Sequence, residues 1–176
     1  MGAPKRVAII TDTHFGIKKG SQIFHDYFEK FYKEVFFPTL DKEGIKTVLH
    51  LGDCFDVRKG IDYWSLDWAK RVFFDPLQAR GIQVHIVVGN HDIFYKNTLK
   101  INAPGLNLNE YENVTCYSSP QTVRVENEDV FFIPWICEDN AEEFVTARDK
   151  SEASVAMGHL EIAGFYANQN YQCQHG

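Results

Sequence analysis

Three short apolar runs, each ending abruptly in aspartate, asparagine or histidine, restrict the fold of this chain more than any other feature of its sequence. They are VAIITDTHFG at Val7–Gly16, VLHLGDCFD at Val48–Asp56 and IVVGNHDIF at Ile86–Phe94. Each run is short and rich in β-branched residues, as expected for a buried strand. Helical patterns separate the runs, so the order strand, helix, strand, helix, strand predicts a parallel sheet with right-handed crossovers.

Apolar residues recur at helical spacing between the runs. The first predicted helix begins near Ser21 as its cap, is kinked or ended by Pro38 and is closed by Gly44. Its predicted apolar face consists of Phe24, Tyr27, Phe28, Phe31 and Val35. The second predicted helix stops at Gly81 and carries Leu66, Ala69, Phe73 and Leu77.

The second half of the chain has shorter predicted segments. Strands are predicted at Val114–Tyr117, Thr122–Val125, Val130–Ile133 and Ser154–Met157, with a hairpin turn at Asn127–Asp129 and a helix at Asn140–Lys150. We therefore expect one α/β domain over residues 1–176, with a βαβαβ start and mixed sheets flanked by helices.

Composition excludes several classes of protein. A hydrophobic fraction of 44% indicates an ordered globular domain, and the net charge of −6 argues against a protein that coats DNA. No apolar stretch approaches the roughly 18 residues of a membrane span. The cysteines are scattered without a C-x-x-C pair, which predicts a cytoplasmic protein with reduced thiols.

The polar residues that follow the runs should converge. Loops at the carboxyl ends of parallel strands meet at one edge of the sheet, which would bring together Asp12, His14, Asp53, Asn90 and His91. Carboxylates packed that closely repel one another unless a cation lies among them. Mixed aspartate, asparagine and histidine ligands suit Mn, Fe or Zn. Two such ions ~3.5–4 Å apart are a recurring arrangement for cleaving phosphoesters.

Each motif also has an ordinary structural explanation. An isolated D-x-H or G-D is more often a turn, and a lone histidine after a strand, such as His159, is usually structural. Turn chemistry accounts for at most two residues of Gly89–Asp92. Because four such motifs each follow a predicted strand, the metal site is favoured over coincidence. The histidines inside helix or strand patterns, and the small residue beside the site, are interpreted as structural: His25, His50, His85 and Cys54.

With D-x-H, G-D, G-N-H-D and G-H in this order, the chain resembles the calcineurin-like metallophosphoesterases. The stretches DTHFG, GDCFDVRK and IPW…GH resemble more specifically the SbcD-type double-strand-break-repair nucleases, above all the recombination endonuclease subunits of phages. The resemblance implies a calcineurin-like metallophosphoesterase sandwich that hydrolyses DNA phosphodiesters with two divalent ions. Mn²⁺ is the expected ion, with Mg²⁺, Fe or Zn as alternatives. It also implies a homodimer working with an SbcC-type coiled-coil ATPase, in the host cytoplasm if the chain is phage-encoded.

The resemblance also implies a set of metal ligands. Asp12 and His14 would bind the first ion, and Asp53 would bridge both ions. Asn90 and His159 would bind the second ion.

Two residues would act beside these ligands. His91 would stabilise the transition state or protonate the leaving oxygen instead of binding a metal. Asp56, at a position where relatives carry a residue that orients this histidine, would hold His91 in place.

One motif of the family is missing from the sequence. The family pattern has a final G-H-x-H that supplies one histidine to each ion, whereas this chain ends in QCQHG, where His175 has the wrong spacing. We expect a domain that is incomplete at its C-terminus, without the DNA-binding cap and the partner-docking segment. The isolated chain is expected to bind Mn²⁺ weakly and to show little nuclease activity.

Basic residues follow each metal motif within a few positions and are expected to surround the mouth of the site, where they would contact DNA phosphates. They are Lys18, Lys19, Arg58, Lys59, Lys96 and Lys100. The alternative is that they lie in ordinary solvated loops.

Two other functions stay open at this point. One is a small-substrate phosphodiesterase of the same superfamily, because the metal motifs do not choose the substrate. The other is a truncated, inactive domain that binds DNA or a partner. A Ser/Thr protein phosphatase is disfavoured, since it would be expected to show G-D-x-V-D-R-G and G-N-H-E.

Overall fold

Two packed sheets form the centre of the protein, which a computed structural model describes over residues 5–169 and 171–173. The first sheet is parallel throughout, in the order β1 (Ala8–Ile10), β2 (Thr47–His50), β3 (Gln83–Val87), β4 (Val114–Tyr117). The second is mixed, in the order β5 (Gln121–Val125), β6 (Glu128–Ile133), β7 (Val155–Gly158). A small hairpin of β8 (Tyr166–Asn168) and β9 (Tyr171–Gln172) follows. The predicted βαβαβ start and mixed second sheet are confirmed.

Helices cover the other face of the first sheet. They are α2 (Gln22–Phe31), α3 (Phe37–Glu43), α4 (Tyr63–Ala69), α5 (Asp75–Ala79) and α6 (Ala103–Asn107). The short α1 (Ile17–Gly20) follows the loop after β1, and α7 (Ala141–Lys150) stacks Phe144 on Phe131 of β6 in the second sheet. Two π-helical turns, Tyr32–Phe36 and Lys70–Phe74, join α2 to α3 and α4 to α5. Among the described residues, no helix combines the length and apolar character that spanning a bilayer requires.

Side chains alternate between two cores along the central strands. Val48 of β2 belongs to the cluster under the helices, and its neighbour Leu49 belongs to the cluster between the sheets. Ile86 and Val87 of β3 divide in the same way. Because successive strand residues point to opposite faces, a strand buried on both faces is apolar throughout. This explains why the runs that precede the polar motifs are continuous.

Pro38 does not end the first helical segment, since α3 continues to Glu43. Pro38 and Pro76 both lie at the start of the α-helical segment that follows a π turn. In each turn, the N–H of the residue before the proline donates to a carbonyl five residues earlier, from Phe37 in one case and from Asp75 in the other. The wider turn accommodates the missing proline N–H, so the helical path continues.

The predicted apolar face of the first helix is wrong except at Phe28, which packs against the core, because its other four residues are exposed. Tyr27 is 72% exposed and Val35 is 52% exposed, whereas His25, Tyr32 and Phe36 are buried. The predicted set of residues and the buried set form two stripes along the helix that are offset by one residue. Both stripes satisfy helical spacing. Periodicity alone therefore could not choose between them, and packing against the sheet selects the second.

The hairpin between β5 and β6 turns slightly earlier than predicted. Val125 pairs with Glu128, so the turn consists of Glu126 and Asn127, and Asp129 already belongs to β6. Glu126 has a φ of 54°, the positive value that the favoured two-residue hairpin turns require.

Candidate metal centre

The five predicted ligands come together at the carboxyl ends of β1, β2, β3 and β7. Asp53 Oδ2 lies 3.7 Å from His14 Nε2 on one side and 3.4 Å from His159 Nε2 on the other. His14 Nε2 is 3.6 Å from Asp12 Oδ1, and His159 Nε2 is 2.9 Å from Asn90 Oδ1. One buried carboxylate thus separates two groups of nitrogen and oxygen atoms.

These spacings suit metal ions. Ligand bonds of about 2.1 Å place adjacent ligand atoms roughly 3.0–3.4 Å apart around one ion. Asp12, His14 and Asp53 each offer one atom within 4.8 Å of the others, and so do His14, Asp56 and His91. The mixed oxygen and nitrogen donors suit Mn²⁺, Fe or Zn²⁺. The residues present therefore fit a divalent-metal centre.

Two glycines of the motifs permit close approach between loops. A Cβ on Gly89 would lie 2.3 Å from both the backbone nitrogen and the Oδ1 of Asp53. A Cβ on Gly52, which has a φ of 101°, would lie 2.6 Å from Nδ1 of His159. A side chain at either position would displace a predicted ligand, which explains the glycines of G-D and G-N-H-D in physical terms.

Three predicted ligands have left-handed backbones although none is glycine. The φ angles are 54° at Asp12, 42° at His14 and 52° at Asp53. Such conformations cost free energy and persist where the surroundings enforce them. Here the Asp12 N–H donates to the Gly52 carbonyl at 3.0 Å, and the His14 N–H donates to the Asp53 carbonyl at 3.1 Å. Backbone hydrogen bonds thus hold together the loop after β1, which carries D-x-H, and the loop after β2, which carries G-D. These are the first and second motif loops, and the loop after β3, which carries G-N-H-D, is the third.

A buried chain of hydrogen bonds lies beneath the same two loops. The Gly52 N–H donates to His50 Nδ1 at 3.3 Å, so His50 carries its hydrogen on Nε2. That N–H donates to Thr13 Oγ1 at 2.9 Å, and the Thr13 hydroxyl donates to the Cys54 carbonyl at 3.1 Å. Burial lowers the pKa of His50 to about 4, which keeps the ring neutral. His50 was predicted to be structural, and Thr13 was not singled out from the sequence.

His91 is fixed by two contacts to the second motif loop. Its Nδ1 donates to the carbonyl oxygen of Asp56 at 2.7 Å, and its backbone N–H donates to Asp53 Oδ1 at 2.8 Å. The carboxylate of Asp56 faces His14 instead, with Oδ1 at 3.2 Å from Nδ1. Asp56 therefore contacts His91 through its backbone and His14 through its side chain. The sequence could not distinguish these two contacts, because both depend on the path of the loop.

Hydrogen bonding balances burial at the central carboxylate. Burial alone would raise the pKa of Asp53, but contacts from His159 and from the His91 N–H lower it below its usual value. Burial likewise works against a charged His159, yet the neighbouring Asp53 raises the pKa of that imidazole. Asp53 is therefore held as an anion, the form that binds cations.

Asp92 has a role that sequence reasoning missed. Its side chain is fully buried and accepts the N–H groups of Phe55 at 3.0 Å and Gly89 at 2.9 Å. Burial raises its pKa to about 6, against the effect of these hydrogen bonds. Asp92 thus ties the third motif loop to the second. The signal was its position in a four-residue motif of which turn chemistry explains only part.

The predicted DNA-binding residues divide into two groups. Arg58 and Lys59 border a cavity that also reaches Asp92, beside His91. Lys18 and Lys19 are exposed in α1, Lys96 is exposed in the loop after His91, and Lys100 pairs with Asp139 at 3.2 Å. Apart from Lys100, none of these side chains forms an ion pair with a residue that the structure describes. His175, which the sequence raised as a substitute ligand, lies outside the described residues.

This chain is similar to known proteins in sequence and in structure. The sequence profile of the calcineurin-like phosphoesterases matches residues 5–175. Exonuclease subunit 1 of Enterobacteria phage T4 is 41% identical over 125 residues, so the match spans 71% of this chain but only 37% of that protein.

Two solved structures share features with it at lower similarity. The Pseudomonas putida nuclease MPE has a TM-score of 0.44 at 19% identity, covering 77% of this chain and 58% of that one. A protein of unknown function from Aquifex aeolicus has a TM-score of 0.45 at 17% identity, covering 95% and 82% respectively.

Proposed function

This chain belongs to the calcineurin-like phosphoesterase family, and from this membership we propose that it is a DNA nuclease domain that hydrolyses phosphodiesters at a centre of two divalent ions. The observation that carries the proposal is the position of Asp53 Oδ2 between His14 and His159, at 3.7 and 3.4 Å. One carboxylate oxygen can then serve two groups of ligands. The T4 relative is named an exonuclease subunit, which favours DNA over small phosphodiesters.

Membership of the family implies divalent-metal binding, and we assign the ligands as follows. Asp12, His14 and Asp53 hold one ion, and Asp53, Asn90 and His159 hold the other. Mn²⁺ is our proposed ion because the set mixes carboxylate, amide and imidazole donors. When bound, the ions would polarise the phosphodiester and activate the attacking water.

His91 is assigned to the leaving group. Its Nδ1 is committed to the Asp56 carbonyl, so Nε2 is the nitrogen left to face a substrate. Its backbone N–H also orients the carboxylate of Asp53, and the imidazole therefore keeps a fixed position relative to the metal ligands. Such a histidine can give a proton to the departing oxygen as the phosphorus–oxygen bond breaks.

The surroundings of the site favour a polyanionic substrate. Arg58 and Lys59 beside the centre, with Lys18, Lys19 and Lys96 farther along the loops, would contact backbone phosphates. We also propose the assembly that the resemblance implies, a homodimer with an SbcC-type coiled-coil ATPase in the host cytoplasm. The T4 relative is itself named a subunit.

The test is Mn²⁺-dependent digestion of linear DNA, compared with hydrolysis of a generic aryl phosphodiester, for the wild type and Asp53→Asn. We expect DNA cleavage that is slow for this chain, needs Mn²⁺, stops with chelator and is lost in the variant. Hydrolysis of the aryl ester without DNA cleavage would favour the small-substrate phosphodiesterase. A chain that binds no Mn²⁺ by elemental analysis would instead be a binding domain only.

A further inference from the structure

An apolar cavity of about 150 Å³ opens beside the candidate metal centre. One wall comes from the loop after Asp56 and the other from the loop after His91 with the start of α6. The side chains that shape it are Val57, Ile61, Phe94, Ile101, Ala103 and Leu106. An apolar cavity of this volume is large enough to bind a single aromatic ring.

The walls of this cavity continue the loops that hold His91. The Asp56 carbonyl accepts from His91 Nδ1, and Val57, the next residue, begins the first wall. The second wall is fixed by backbone bonds, from the Phe94 N–H to the Ile101 carbonyl at 3.0 Å and from the Ala103 N–H to the Asp92 carbonyl at 2.7 Å. The cavity is therefore bounded by the two loops that continue from the groups holding His91, and Asp92, the residue after His91, lines it.

The uncharged amides and the carboxylate that line the cavity already form hydrogen bonds within the protein, and Asn107 donates to the Ala103 carbonyl. Asp92 accepts from two backbone N–H groups. Asn102 accepts from the Gly105 N–H and donates to the Leu99 carbonyl. Apart from Arg58 and Lys59, the walls mainly offer a ligand apolar surface and the ring of Phe94.

Two positively charged side chains also lie at this cavity. Arg58 and Lys59 line the cavity, and neither forms an ion pair within the described part of the chain. Lys59 Nζ lies 5.9 Å from the centroid of the Phe94 ring. A flat apolar group joined to an anion matches this arrangement, and in a nuclease that combination is a nucleotide.

We propose that the cavity binds the unpaired base of the nucleotide beside the scissile phosphate, with Phe94 as its stacking surface and Arg58 and Lys59 on the adjoining phosphates. The proposal rests on the proposed nuclease function and names a subsite of it. The base must be unpaired, because a base within a duplex cannot leave its stack without cost. Recognition is tolerant of sequence, since stacking uses a face that every base has.

The test compares two single-stranded oligonucleotides that differ only in an abasic residue beside the cleavage position. Binding is measured by fluorescence anisotropy in EDTA, where the strand stays intact, and cleavage is measured separately in Mn²⁺. The wild type should bind the abasic strand more weakly, by roughly 5- to 150-fold, the range that loss of one stacked base produces. The Phe94→Ala variant should bind both strands with equal affinity.

The controls distinguish an incorrect base subsite from an incorrect nuclease function and from contact between copies of the chain. Tyr27→Ala removes an aromatic ring that is 72% exposed on α2 and should keep the wild-type preference, and thermal unfolding checks that Phe94→Ala is folded. Equal affinity of the wild type for the two strands would overturn the subsite, even if DNA is cleaved. Absence of all DNA cleavage would instead overturn the nuclease function. A change in sedimentation of Phe94→Ala with the base preference retained would assign the cavity to contact between copies and also overturn the proposal.

Discussion

Asp12, His14 and Asp53 of the candidate metal centre have left-handed backbone conformations. Each of these conformations costs free energy. A left-handed φ turns the backbone sharply at a single residue. Most L-residues avoid it because Cβ then approaches a carbonyl oxygen. Three occurrences among five proposed ligands indicate that the loops are held in a strained, preorganised arrangement.

Thr13 lies between two of these strained residues, and its hydroxyl links His50 to the Cys54 carbonyl. Thr13→Val keeps the shape but leaves the buried Nε2–H of His50 unpaired, while the Cys54 carbonyl keeps the N–H of Phe15. We expect it to reduce the free energy of unfolding by about 2–3 kcal/mol and to weaken Mn²⁺ binding, as measured by urea denaturation and calorimetric titration.

Two companion substitutions show whether the hydroxyl is responsible. Thr13→Ser retains it and should restore most of the Mn²⁺ affinity. Thr39→Val, on the exposed side of α3, should change stability by less than about 0.5 kcal/mol. Wild-type Mn²⁺ affinity in Thr13→Val would show that the hydrogen-bond chain does not position the ligands.

His91 and Asp53 are in contact, but substitutions at the two positions should have different effects on DNA cleavage and metal content. His91→Asn is expected to suppress DNA cleavage by at least about 100-fold, since a proton donor typically contributes 10²–10⁴, while metal content stays near wild type. Asp53→Asn should lower both, because it removes a charge shared by two cations. Elemental analysis beside the cleavage rate decides this, and loss of metal from His91→Asn would make His91 a ligand.

The strand-end positions of the proposed ligands were predictable, because continuous apolar runs mark strands buried on both faces. The partner of the Asp56 carboxylate and the role of Asp92 were not. These depend on how far one loop advances over another, by distances that no local pattern encodes. At the residue scale, sequence therefore located the proposed ligands better than the contacts that orient them.

At the scale of elements, some features of the helices could be predicted from the local sequence and others depend on tertiary packing. Both helical segments and their closing glycines could be predicted, because spacing and capping are local. The buried stripe of α2 was not predicted, since the neighbouring stripe that contains Tyr27 fits the same period. The passage of the helices through Pro38 and Pro76 was not predictable either, because the π turns that permit it leave no distinct mark in composition.

The loop after Asp56 is the element that should decide the salt dependence of DNA binding. Replacing Arg58 and Lys59 with glutamine removes two cations from the mouth of the centre. For a single strand, each lost phosphate contact should reduce the slope of log affinity against log salt by about 0.7. The double variant should therefore lose about 1.4 from the slope, as measured by anisotropy across a salt series.

A matched control places the same charge change elsewhere. Lys42 in α3 and Lys150 at the end of α7 are exposed, and their double glutamine variant should keep the wild-type slope. If both double variants flatten the slope equally, the effect belongs to net charge rather than to the loop.

For the whole molecule, His50 makes stability depend on pH. Its pKa is about 4 in the fold and near 6.5 in the unfolded chain, so the unfolded state binds the proton first as pH falls. This contribution to stability is present above pH 6.5 and is lost progressively down to about pH 4. At roughly 1.4 kcal/mol per pKa unit, the loss is about 3 kcal/mol.

Other groups titrate in the same window, and Asp92 acts in the opposite direction because its pKa is raised to about 6. The effect of His50 is therefore read as a difference between two proteins. His50→Gln can keep both hydrogen bonds without titrating, and it should show a flatter decline in stability from pH 7 to pH 4 than the wild type. Parallel curves from urea denaturation would contradict the assignment.

The pairing of Phe15 with Phe55 carries the β1–β2 ladder past the strand ends and into the loops of the proposed ligands. The amide hydrogens of Asp12, His14 and Phe15 all donate across this extension. They can reach solvent only when the two strands separate, so they should exchange with deuterium as slowly as the amides of the sheet. Fast exchange there, with β2 still protected, would show that the loops open independently. If they open together with the sheet, the proposed ligands exist as a set only while β1 and β2 stay paired, and the chain should release its ions in the same step in which these amides lose protection.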